Sequence, residues 1–87
     1  MKKQKHNPRL KAAVLEVVDN QLKDNNPPET RQSFERLVGL GVSEANAKIY
    51  IGQAVAFEIY EMMTNKIPFD HDRFVQNLDK LPNLIEP

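Results

Sequence analysis

Two polar residues of this 87-residue chain fall where an amphipathic helix would carry apolar ones. At about 100° of rotation per residue, Glu58 lies among Ile51, Ala54, Val55 and Met62, and Gln21 lies in line with Leu10, Val14 and Val17. A carboxylate inside an apolar face costs on the order of several kcal/mol unless it is paired, hydrogen-bonded or protonated. Glu58 can therefore be a poised acid beside a small-molecule pocket, half of a satisfied polar pair, or a carboxylate at a dimer seam. The pair is favoured, with Gln21 as the partner. In an up-down-up-down bundle the first and third helices run parallel, and Gln21 and Glu58 then sit at nearly the same depth.

Other residues that could do chemistry have simpler uses. Asp70-His71-Asp72 is metal-like when written out, but it stands at a helix start, where acids cap backbone N–H groups and suit the helix dipole. His6 is far away in sequence, and there is no cysteine, which rules out disulfides, thiolate metal sites and cysteine nucleophiles. Ser33 reads as a surface helical residue and Ser43 as a cap. Neither a phosphate-cradling glycine loop nor a Ser-His-Asp set is recognisable. The expectation is no catalytic residue, no metal, no cofactor and no enzymatic activity.

Charge is balanced overall and unevenly placed. Lys2, Lys3, Lys5, Arg9 and Lys11 are a candidate anion-binding arm, with no acid among the first eleven residues. The remainder carries seven basic against twelve acidic residues. Such an arm can bind nucleic acid, although a solvated terminus is the commoner case. A helix-turn-helix reading of the turn Leu40-Gly41-Val42-Ser43 is disfavoured, because the helix that follows is apolar after Lys48 and a poor reader of a phosphate-lined groove. The segment Leu10–Val18 is interrupted by Lys11 and Glu16, and 49–63 by Gln53, Glu58 and Glu61, so no targeting or membrane segment is expected. The expected location is the cytoplasm.

The elements that must position these residues are all helical. Asn7-Pro8 opens a helix over 8–23, with Asn as cap and Pro in the first turn. Asn26-Pro27-Pro28-Glu29 starts a second by the same chemistry, with Asn26 as cap and Glu29 at the capping-box position. Phe34, Leu37 and Val38 form its stripe, and Gly41 is the left-handed residue after its end, with Val42 folding back. Ser43 caps a third helix over 44–65, about 33 Å long, whose apolar residues wrap most of its circumference, as in a buried central element. Asp70 caps a fourth, with Phe69 stapled on Phe74 and with Phe74, Val75, Leu78 and Leu81 on its core face. Pro82 stops it. The layout is a flexible basic arm over 1–6, one helical domain over 7–82 and a loose tail over 83–87. The fold class is all-α: a compact four-helix bundle, orthogonal or up-down, with a long central third helix.

Asn7-Pro8-Arg9-Leu10, Asp19-Asn20-Gln21, Pro27-Pro28-Glu29, Arg36-Leu37 with Gly41, Pro68-Phe69-Asp70, and Arg73-Phe74 with Leu81-Pro82 span nearly the whole chain outside the arm. In order and spacing they resemble a family of short bacterial helical proteins catalogued only as a domain of unknown function. The resemblance implies a helical bacterial protein of the cytoplasm and carries no established activity. Members of that family place paired histidines four apart on the first and third helices. The matching positions here are Lys11 and Leu15, then Ala45 and Ile49, so no metal role transfers.

At this length a shared interface would add apolar burial to a small core. The third helix has more large side chains than one bundle needs, and Tyr50, Phe57, Tyr60 and Met63 lie off its main stripe as candidate interface residues. The expectation is a non-enzymatic protein-interaction or structural module, forming a homodimer. The alternative is an accessory nucleic-acid-binding protein that uses its N-terminal arm.

Overall fold

The computed structural model describes residues 8–83. The chain folds as α1 (Pro8–Asp24), α2 (Pro28–Gly39), α3 (Glu44–Asn65) and α4 (His71–Lys80). There is no strand among the described residues.

Most helix ends have the local cause that the residue types predict. The Ser43 side chain accepts the Asn46 N–H at 3.1 Å and starts α3. Asp70 does the same for α4 through the Arg73 N–H at 3.1 Å, and the Phe69 and Phe74 rings lie 5.3 Å apart as the staple. After α2, Gly41 takes φ 97°, its N–H bonds the Val38 carbonyl at 3.0 Å, and Val42 N–H bonds Leu37 at 3.1 Å. That is the Schellman arrangement, which favours glycine because φ is positive. α3 runs unbroken through Gly52 and ends at Lys66, itself left-handed at φ 58°.

The start of α2 differs from expectation. Asn26 does not cap it. Asn25 is left-handed at φ 51°, and Asn26 N–H bonds the Gln21 carbonyl at 3.0 Å, so the pair finishes α1 in the manner of Gly41-Val42. Pro27, extended and without a side-chain cap, precedes α2 instead.

Helix directions follow from side-chain contacts. Lys48 Nζ lies 2.9 Å from Asp19 Oδ1, while a Cβ on Gly52 would meet Val14 Cγ1 at 3.0 Å. Moving forward along α1 is therefore moving backward along α3, and the two are antiparallel where they touch. α2 and α4 run the same way: Glu29 approaches His71 at 3.7 Å, and Arg36 reaches the carbonyls of Leu78 and Leu81.

The core combines Val14, Val18 and Leu22 of α1, Leu37 of α2, Ala47, Ile51, Ala54 and Val55 of α3, and Phe74, Leu78 and Leu81 from the end of the chain. Thr30 and Ser33 are buried beside Leu37, so Ser33 faces inward and not, as its type suggested, outward. Spacing explains this, since 30, 33 and 37 share one face of α2. Asn77 is buried on α4.

Three shorter helices cover α3 incompletely. Its buried residues are Ala47, Ile51, Gly52, Ala54, Val55 and Glu58, and none follows Glu58. Met62, which continues the inner stripe by spacing, is exposed. α3 has 22 residues against 17, 12 and 10 in the others, so its last two turns outrun the helices packed on it.

Candidate functional site

Glu58 and Gln21 are not each other's partners. Antiparallel packing places them toward opposite ends of the α1–α3 contact, and each finds a different neighbour. Gln21 is half-buried, and its Oε1 accepts the hydroxyl of buried Thr30 at 2.8 Å. The same directions separate positions 11 and 15 from 45 and 49, which parallel helices would have brought to one level.

Glu58 is fully buried, at 0% exposure. Its Oε2 accepts Arg73 Nε at 2.7 Å, and its Oε1 accepts both Arg73 Nη2 at 2.8 Å and the Asp70 N–H at 2.9 Å. The bidentate fork is the strong geometry for this pair. Its hydrogen bond with Glu58 raises the Arg73 pKa above the ordinary arginine value, against the opposing effect of burial. The guanidinium also lies over the Phe57 ring, 5.7 Å from its centre. A carboxylate holding three N–H donors is a structural anchor: it ties the start of α4 to the middle of α3. Arg73 was the partner the sequence reading overlooked. Its signal is its place three residues after the Asp70 cap, on the flank of the apolar face that meets α3.

Two arginines of α2 were also passed over. Arg31 Nη2 donates to the Leu22 carbonyl at 2.6 Å, and Arg36 donates to Leu81 and Leu78 at 2.8 and 2.9 Å. Each places a cation on the free carbonyls at the end of a neighbouring helix, where the dipole favours it. Glu58 at the start of α4 and Arg36 at its end thus hold a ten-residue helix by opposite charges.

Asp70-His71-Asp72 divides as its position suggests. Asp70 caps, and His71 Nε2 faces Glu29 Oε2. Among the described residues there is no group of three or more His, Cys, Asp or Glu placed to hold a metal ion. Nor is any helix long and apolar enough to cross a membrane. Lys2, Lys3 and Lys5 lie outside the described residues, as does most of the expected tail. Arg9 and Lys11 are exposed in the first turns of α1.

The four candidate interface residues separate into two pairs. Tyr50 packs against the core and Phe57 is half-buried under Arg73, so the bundle itself uses both. Tyr60 and Met63 are 57% and 69% exposed. By helical rotation they share the outward side of α3 with Ile49, Gln53 and Ala56, and Ile49 is also exposed. From 49 to 65 the only charged residues are Glu58, which is buried, and Glu61, on the Phe57 flank. The exposed sides of the other helices carry Lys11, Glu16, Asp19 and Lys23, then Glu35 and Arg36, then Asp72, Asp79 and Lys80. One helix face of the bundle is thus both open to solvent and free of charge.

Comparison with models of protein families, with curated proteins and with solved structures finds no match to this chain.

Proposed function

We propose that this protein is a non-enzymatic protein-interaction module, acting as a homodimer through the outward face of α3. The observation that carries the reading is the absence of charge along that exposed face in a chain whose residues are 28% charged. Solvated helix faces ordinarily carry mixed charges, and a contiguous apolar one marks a contact surface. Tyrosine and methionine are among the residue types enriched at such contacts. The buried carboxylate adds no chemistry to this reading, because the protein's own donors occupy both of its oxygens.

Sedimentation at several concentrations tests it. The wild-type chain is expected to be dimeric at micromolar concentration, and Tyr60→Glu or Met63→Glu to be monomeric with unchanged helicity. A wild-type monomer throughout that range, or a dimer indifferent to both substitutions, refutes the dimer. Phe57→Glu is a poorer probe, since it also removes the ring under Arg73.

A second reading rests on charge. Lys2, Lys3, Lys5, Arg9 and Lys11 would bind a nucleic-acid backbone without reading its sequence. Retention on nucleic acid that falls steeply with salt, and is lost when these five are replaced by alanine, would favour it over the dimer reading.

A further inference from the structure

The outward residues of α3 follow a regular spacing. Ile49, Gln53, Ala56, Tyr60 and Met63 are separated by four, three, four and three residues, the repeat with which two helices pack along a seam. The inner face of the same helix is consumed by Ala47, Ile51, Ala54, Val55 and Glu58. α3 therefore carries two apolar seams, and the bundle fills one.

The order of residue types on the outer seam reads alike in both directions. A small residue, Ala56, stands at the centre. Three residues before it and four after it are side chains with polar tips, Gln53 and Tyr60. Beyond them at the two ends are the apolar Ile49 and Met63. Resting on the dimer reading above, we infer that the partner is a second copy whose α3 lies antiparallel to the first, with the two-fold axis passing beside Ala56. In that register Ala56 faces Ala56 of the other copy, Gln53 faces Tyr60, and Ile49 faces Met63. The central alanines let the helix axes approach to about 8 Å at a crossing angle near 20°. Each Gln53 amide meets a Tyr60 hydroxyl, so the polar tips at the seam are hydrogen-bonded to each other. A foreign apolar helix would leave both groups unpaired, and so would a parallel copy that set Tyr60 against Met63 or Ile59. The occupant selected by this pattern is the chain itself.

Because the chain has no cysteine, introduced thiols report the register. Disulfides form only between Cα atoms less than about 7 Å apart. Ala56→Cys is expected to oxidise to a covalent dimer. Ile49→Cys and Met63→Cys, each about 10 Å along the helix from the axis, should not link to themselves, whereas an equimolar mixture of these two should link to each other. Self-linking of Met63→Cys, or an unlinked Ala56→Cys protein that sediments as a dimer, overturns the inference. Should Ala56→Cys disturb folding, a charge pair gives the same information. Gln53→Lys and Tyr60→Glu should each weaken the dimer by about tenfold or more, and the double variant should recover at least part of that loss through two equivalent ion pairs. No recovery in the double variant overturns the antiparallel register. A wild-type dimer that Tyr60→Glu abolishes but whose thiols link in another pattern would overturn this register and leave the interaction reading standing. A wild-type monomer overturns both.

Discussion

Arg73→Met is the most discriminating perturbation of the fold, because its effect comes from the residue left behind. The substitution removes two of the three donors on Glu58 and leaves only the Asp70 N–H. Glu58 has no exposed surface through which water could replace them. A buried carboxylate stripped of its counter-charge costs about 3–5 kcal/mol. A domain of this size has a total stability of roughly 4–13 kcal/mol. The expected result is loss of a large fraction of stability, with α4 loosened first because Glu58 anchors its start. Glu58→Leu should be milder. Its methyl groups fill most of the volume, the Asp70 N–H is near solvent, and Arg73, with 27% of its side chain exposed, can turn outward. The double variant Glu58→Leu/Arg73→Met should then be more stable than Arg73→Met alone, since no charge remains to be stranded. Urea unfolding followed by far-UV circular dichroism, at one fixed protein concentration, supplies the double-mutant cycle. Additivity within about 0.5 kcal/mol would refute the pairing as the source of the effect.

Three other substitutions probe how the elements are joined. Arg36→Met removes both donors from the end of α4, and urea titration should register a loss of about 1–3 kcal/mol, the usual range for hydrogen bonds to a charged group. Asp70→Ala, which deletes the α4 cap, should cost about 1 kcal/mol, and Asp70→Asn should recover most of it. Gly52→Ala should be close to neutral in thermal unfolding, because the helix preference for alanine, about 1 kcal/mol, opposes a 3.0 Å approach to Val14 Cγ1. Gly52→Val brings bulk that α1 cannot avoid and should destabilise by about 1–3 kcal/mol. An equally stable valine variant would show that α1 and α3 do not pack as closely as described.

Helix boundaries were legible in the sequence wherever one residue type performs one local task. Ser43, Asp70 and Gly41 each act within four residues of themselves, so their roles need no knowledge of the rest of the fold. Asn26 was misjudged because two local tasks competed for it: capping α2, or closing α1 with Asn25. Local chemistry permits both, and the short connection to Pro27 leaves room for only one. Long-range partners were less legible. The periodicity of α3 correctly put Glu58 inside. Pairing it with Gln21 required the direction of α1, and a 3.6-residue period carries no information about direction. Arg73, Arg31 and Arg36 were overlooked for a related reason. A long cation on a helix flank looks the same in sequence whether it points to water or onto a neighbour's last carbonyls.

The apolar pattern of α3 was read as burial on all sides, and its physical content is narrower. A hydrophobic period records which faces are kept from water, without recording which chain covers them. α1 and α4 flank α3, and Glu58 with Arg73 closes the inner seam where the core stops. Beyond that point, and around the outward side, the helix keeps Ile49, Tyr60 and Met63 and admits no charge. If solvent were the permanent neighbour of that side, lysine or glutamate there would cost the fold nothing and would favour solubility. The exposed sides of α1, α2 and α4 show the same chain using charge freely wherever it faces water. The difference between those faces and this one, inside a single small domain, is therefore the argument for a second copy. The monomer supplies no other reason for the outer seam of α3 to be uncharged.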